Sequence, residues 1–298
     1  MKSITRLIAA LALLITTTAF AQFDHSHKAF DDLLKKPSEP KPDEQPSEPV
    51  AFEVAGIELK DVSLAVDDRQ TGVQGKVVLQ TFNSGRLADG LKSDISLKAS
   101  VSLSKPSPVN LGVQGSLQLT PQLAQNTVLV DKLSLDVNGD AAGVKQTKAA
   151  LKADALRWDG ARGAAEASGL SLEGSAQLAG LVVENARLSL ERFEYDPAAQ
   201  TLQLYQLATK VAARQGGQPL NAELNWSELA VKGDQIQGST LEGNVALAGP
   251  TAVDATFKSE APQGGFKQFK VPGLTLDFAV RMAGEGGTRE IKGSTRAD

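Results

Sequence analysis

The only two histidines of the chain, His25 and His27, stand one residue apart beside Asp24, and such a trio can hold a metal ion. Cleavage after Gln22 would place His25 third from the new terminus, an arrangement suited to square-planar copper or nickel. A solvated tail accounts for the same residues, and we assign no metal site. Adjacent acids such as Asp67 and Asp68 are the raw material of glycoside hydrolysis, yet they fall where a strand ends and a solvated turn begins. Gly284-Glu285-Gly286-Gly287 lacks the strand-to-helix context and the lysine of a phosphate-binding loop, so it reads as a turn. Trp158 and Trp226 are the largest apolar side chains and suit either a ligand groove or ordinary packing. With no histidine after residue 27, the rest of the chain cannot assemble a Ser-His-Asp triad. With no cysteine anywhere, thiol catalysis and Cys-based zinc sites are excluded. These residues argue against an enzyme, and no cofactor is expected.

The front of the chain is organised for export. Lys2 and Arg6 precede an apolar run from Leu7 to Ile15, and Ala19-Phe20-Ala21 is a small-x-small cleavage signal, so residues 1–21 read as a signal peptide. An uncleaved segment would instead tether the chain to a membrane. Phe30, Leu33 and Leu34 permit one short amphipathic helix over 27–36. Residues 37–49 hold five of the thirteen prolines and form a semi-rigid linker. The expected domains are therefore 1–21, 22–51 and 52–298, with a possible internal boundary near 143. A net charge of -4 with both signs interspersed gives no basic stripe for nucleic acid.

From residue 52 onward the pattern is that of strands. Ile95, Leu97, Ala99, Val101 and Leu103 recur at every second position, as a half-buried strand requires. Leu111, Val113, Leu117 and Leu119 repeat the rhythm after Pro106-Ser107-Pro108. About sixteen such segments are visible, among them 52–59, 61–66, 219–227 and 229–237 as separate strands. Ala161 to Ala167 is rich enough in alanine to allow a helical turn. Turn signals at Asn83-Ser84-Gly85, Asn138-Gly139-Asp140, Asp196-Pro197, Gly216-Gly217 and Gly264-Gly265 make the connections short, which favours antiparallel neighbours. The expected fold is all-β.

A sheet this wide has no helical layer to cover its apolar face. It must fold into a sandwich, close into a barrel, wind as a solenoid, or curl into a gutter lined by Leu, Val and Ala. Small residues such as Ala99, Ala155, Ala222 and Ala246 leave room for something other than protein, and an acyl chain fits a gutter. At about 0.8 kcal/mol per methylene, a fourteen-carbon chain needs on the order of 10 kcal/mol to enter water, and a continuous groove removes most of that barrier. Ile95, Leu97, Ala99, Val101, Leu103, Leu111, Val113, Leu117 and Leu119 are the candidate groove lining. A structural or protein-docking sandwich or solenoid is the alternative.

Four segments resemble one family in order and spacing: Phe52 to Leu59, Ser84 to Gly90, Leu133 to Val137, and Phe193 to Leu202. Together they are similar to the middle of AsmA-family envelope proteins, over a stretch from about Phe52 to the end. The resemblance implies an elongated, curled antiparallel sheet forming a β-groove, a periplasmic location in a Gram-negative bacterium, and a part in outer-membrane assembly and lipid movement. Its implied partners are acyl chains of phospholipid or lipopolysaccharide, with envelope proteins possible, and it brings no catalytic residues. Family members begin with an uncleaved inner-membrane helix and a long β region, where this chain has a signal peptide and a proline-rich linker.

Overall fold

A computed structural model describes residues 53–68, 72–265, 268–284 and 287–297. The signal peptide, the 27–36 helix, His25 and His27, and the linker lie outside the described residues. Those described belong to one compact unit, Ala51–Asp298. Its strands are β1 (Glu53–Val54), β2 (Ile57–Asp68), β3 (Val73–Ser84), β4 (Leu87–Ala88), β5 (Ser93–Lys105), β6 (Val109–Gln122), β7 (Thr127–Ala141), β8 (Val144–Asp159), β9 (Ala164–Leu178) and β10 (Leu181–Asp196). There follow β11 (Thr201–Gln215), β12 (Gln218–Lys232), β13 (Gln235–Gly238), β14 (Leu241–Leu247), β15 (Thr251–Ser259), β16 (Gln263–Gly265), β17 (Gln268–Lys270), β18 (Leu274–Gly284) and β19 (Gly287–Ala297). A single 3-10 turn, Leu123–Gln125, joins β6 to β7.

Apart from the small β1–β4 pair, every strand belongs to one antiparallel sheet, and from β2 to β12 its strands each pair with their neighbours in sequence. β13 and β14 continue one another along β12 in a constant register. β15 with β16, and β17 with β18, likewise share single lines. The sheet is thus a meander of fourteen full-width strands. Among the described residues its margins are β2, which pairs only with β3, and β19, which pairs only with β18. Margin does not meet margin, so the curled sheet stays open.

The pairing assigns every side chain to a face. On one face stand the apolar positions and on the other Ser, Lys, Asp, Glu and Gln. The alternation slips by one residue inside many strands, and the slips are aligned. Lys132, Asp154, Gly169, Glu191, Gln206 and Ser227 lie on one line across β7 to β12, and in each strand two consecutive residues there occupy the polar face. Lys132, Gly169 and Gln206 adopt left-handed backbone, with φ of 53°, 61° and 54°. The line continues through the interruptions of β13–β14 and β15–β16 to Gly273, φ 58°. An extra residue on the polar side lengthens that face of each strand, so the crease bends the strands toward the apolar side. Asp61 in β2, φ 54°, makes a second such slip opposite β3.

The slips correct the sequence reading. Segments 52–59 and 61–66 are not two strands separated by a turn; β2 runs unbroken through Asp61. Likewise β12 passes through Ser227 without turning. Asn138-Gly139-Asp140 lies inside β7, and the turn falls at Ala142 and Gly143. The Ala161 to Ala167 segment is the end of a four-residue turn, Gly160 to Gly163, followed by β9, not a helical turn. There the Asp159 carboxylate accepts the backbone N–H groups of Ala161 and Arg162, both at 3.1 Å, and this local bond competes successfully with helix formation.

Candidate functional site

The apolar face is the candidate site, and its composition changes from row to row. One row crosses all fourteen strands as Leu59, Phe82, Leu97, Gly115, Leu135, Leu151, Leu172, Leu188, Thr209, Leu224, Gly243, Phe257, Leu276 and Thr295. The next row is Val62, Leu79, Ala99, Val113, Val137, Ala149, Gly174, Ala186, Val211, Ala222, Val245, Ala255, Phe278 and Gly293. A ridge dominated by leucine therefore borders a floor dominated by Ala, Val and Gly. At the usual strand spacing the rows run about 60 Å along the curve. Glycines occur where a large neighbour lies across the row: a Cβ on Gly243 would come within 2.6 Å of the Phe257 ring, and one on Gly238 within 2.5 Å of Trp226 Nε1.

This face is not a sealed core. Among the described residues the buried apolar positions are Ala153, Ala167, Ala176, Val183, Leu190, Val211 and Ala213, all in β8 to β11, and Pro262 before β16. The leucines of the ridge are half-buried or, at the β2 margin, exposed. Above the crease a third row reads Val128, Trp158, Ala165, Tyr195, Leu202, Val231, Ile236, Gly264 and Phe269. Trp158, Tyr195 and Phe269 keep 48%, 42% and 44% of their surfaces exposed, so this end of the face carries an aromatic lip.

All nine candidate lining residues lie on this face in adjacent strands β5 and β6, and all nine are half-buried. Of the four alanines singled out for their small size, Ala99 and Ala222 are on it. Ala155 and Ala246 are not: they pair with Asp131 and Asp254 on the polar face. Trp226 and Trp158 both lie on the apolar face, and the buried Trp226 Nε1 has no hydrogen-bond partner. Tyr195 and Phe269 escaped the sequence reading. Tyr195 follows Phe193 in strict alternation, which is the signal that marks it. Asp67 and Asp68 end β2, and Asp67 accepts a hydrogen bond from Gln74 Nε2 at 3.1 Å.

The opposite face is stitched by exposed ion pairs between neighbouring strands. Lys210 lies 2.6 Å from Glu223, which also accepts from Asn244 at 3.3 Å; these partners hold the Glu223 carboxyl below its ordinary range. Arg281 joins Asp254 and Glu290, both at 3.0 Å, and Arg187 reaches Glu173 at 3.3 Å. The hollows on this side are shallow. One of about 440 Å³ is lined by Asp94, Ser96, Ser116, Gln118 and Lys132 together with Ile95 and Leu117. No group of three or more metal-ligating side chains occurs among the described residues.

Fold and site together define a class: an open, curled, amphipathic all-β meander whose one apolar face no other described residues cover. Comparison with protein families, with curated proteins and with solved structures finds no match for this chain.

Proposed function

We propose that this protein is a non-enzymatic lipid-handling module of the cell envelope, related to the AsmA family, that shelters acyl chains along its apolar rows. The observation that carries the reading is the half-exposed ridge and floor running unbroken across fourteen strands. Apolar surface of this extent standing in water is a standing free-energy cost, at roughly 25 cal/mol per Å², and a bound chain removes it. The floor presents the short side chains of Ala and Val, while the ridge leucines supply the contact. With the signal peptide of residues 1–21, the place of action is the periplasm of a Gram-negative bacterium, and the ligands are acyl chains of phospholipid or lipopolysaccharide.

The test is native mass spectrometry of protein extracted from the periplasm, followed by delipidation and titration with a fluorescent acyl probe. Bound lipid masses and saturable probe uptake are expected. Folded, delipidated protein that takes up no probe overturns the reading. Leu97→Asp is expected to lower probe affinity about tenfold while circular dichroism still reports strands, because a half-exposed charge keeps much of its hydration. A dry, protein-sealed interior would instead unfold on this substitution.

A further inference from the structure

The two margins of the sheet are unlike each other in a complementary way. β2 carries Glu58, Asp61, Asp67 and Asp68 against Lys60 alone, and β19 carries Arg289, Lys292 and Arg296 against Glu290 alone. Local pairing removes part of this. Lys60 is 2.6 Å from Glu58, and Lys292 is 3.0 Å from Glu290. Asp61 shares Lys60 with Glu58, Asp67 is left without a cation, and Arg289 without a carboxylate, among the described residues. Each margin also ends the apolar face abruptly: Leu64 on β2 is 63% exposed and Ile291 on β19 is 54% exposed.

The strand directions are compatible as well. The meander has an even number of strands, so β2 and β19 run in opposite senses while facing the same way. We propose that β19 of one molecule pairs antiparallel with β2 of a second copy, joining two sheets edge to edge into one longer apolar face. Like edges repel, since β2 against β2 opposes carboxylates and β19 against β19 opposes cations; only the unlike combination brings opposite charges together.

The creases set the register. Leu274 follows the crease at Gly273 and pairs with Ala297, while Val62 follows the crease at Asp61. Bringing the two creases level places Val62 opposite Ala297. Leu64 then meets Thr295 and Val66 meets Gly293 on the apolar side. On the polar side Ala65 meets Ser294, and Asp67 meets Lys292. Val62, Leu64 and Val66 of β2 thus continue rows of the partner. Such a contact is head-to-tail, so it repeats along a growing assembly instead of stopping at a dimer.

The full chain contains no cysteine, which makes single-cysteine crosslinking clean. Ala65 and Ser294 are exposed on the polar face, so Ala65→Cys and Ser294→Cys leave the fold intact, as circular dichroism will check. Mixed under mild oxidation, the two variants are expected to give a disulfide-linked heterodimer in excess of either homodimer. Sedimentation equilibrium of the unmodified protein is expected to show association that grows with concentration and weakens with salt. Asp61→Lys with Asp67→Lys should weaken self-association about tenfold or more, and Arg289→Glu with Lys292→Glu should do the same. The chain carrying all four changes should recover it. A monomer at every concentration, crosslinking only between like edges, or no recovery in the fourfold variant overturns the proposal.

Discussion

The middle of the sheet and its margins are written in the same alternation yet live in different surroundings. Leu190 in β10 and Leu64 in β2 both stand on the apolar face, but one is 7% exposed and the other 63%. Neither propensity nor pairing distinguishes them. In the middle, curling brings side chains from strands on both sides toward each residue, whereas a margin has neighbours on one side only. The positions that reach full burial on the apolar face are mostly Ala and Val, because small side chains sink below the leucines around them. Stability in this protein therefore belongs to β8 to β11, and apolar surface open to a ligand or a second copy belongs to the flanks.

The largest effect that follows is a paired substitution. Leu190→Asp places a carboxylate at a buried apolar position, and is expected to cost on the order of 3–5 kcal/mol, enough to unfold much of the population at room temperature. Leu64→Asp is expected to stay within about 0.5 kcal/mol of the parent. Urea titration followed by circular dichroism, at protein concentrations low enough to suppress association, measures both. Equal losses at the two sites would abolish the distinction between middle and margin.

A smaller contrast concerns the crease. Gly169 and Gly72 share left-handed backbone, with φ of 61° and 70°, so alanine at either place pays about 1–2 kcal/mol for its Cβ. At Gly72 a Cβ meets nothing within 4 Å, while at Gly169 it runs into the Asp154 carboxylate from the adjacent strand. Gly169→Ala should therefore exceed Gly72→Ala in cost by about 1 kcal/mol, read as a lower urea midpoint. If the two match, Asp154 swings aside freely and the crease is not crowded.

The crease also explains which parts of the molecule were legible in its sequence. β5 and β6 keep strict alternation from Ile95 to Leu103 and from Val109 to Leu119, and those two strands yielded correct faces for all nine lining residues. In β2 the interval from Leu59 to Val62 is three, and in β12 the interval from Trp226 to Leu229 is three. A pattern of period two cannot say whether such a slip is a turn or a bulge. The register of the neighbours decides, because a bulge matched by slips in the flanking strands preserves every hydrogen-bonded partner beyond it. Asn138-Gly139 looked like a turn for a similar reason. Gly139 is glycine because its Cβ would strike the Asn110 carbonyl across the ladder, a contact no local pattern records. The ridge and floor were equally hidden, since a row is built from fourteen distant residues and only pairing assembles it.

The smallest effect is electrostatic, and it separates the turns of the middle from the β2 margin. The Asp196 carboxyl is held below its ordinary value, chiefly by the backbone N–H of Ala199, with the Arg162 guanidinium and the Ala198 N–H adding to it. Glu58 on β2 is lowered by Lys60 alone. A carboxyl whose folded pKa lies below its unfolded value stabilises the fold fully above the unfolded value, near pH 4, and loses that contribution as pH falls through the folded value. Melting temperature should therefore be level from neutral pH down to about pH 5 and decline below about pH 4. Asp196→Asn should flatten part of that decline, since it removes the titrating group that ties the β10–β11 turn to the β8–β9 turn. Glu58→Gln should leave the profile unchanged within error, because an exposed pair on a margin strand contributes little to holding the fold. A Glu58→Gln profile as flat as that of Asp196→Asn would mean that the β2 margin unfolds together with the middle, as one cooperative unit.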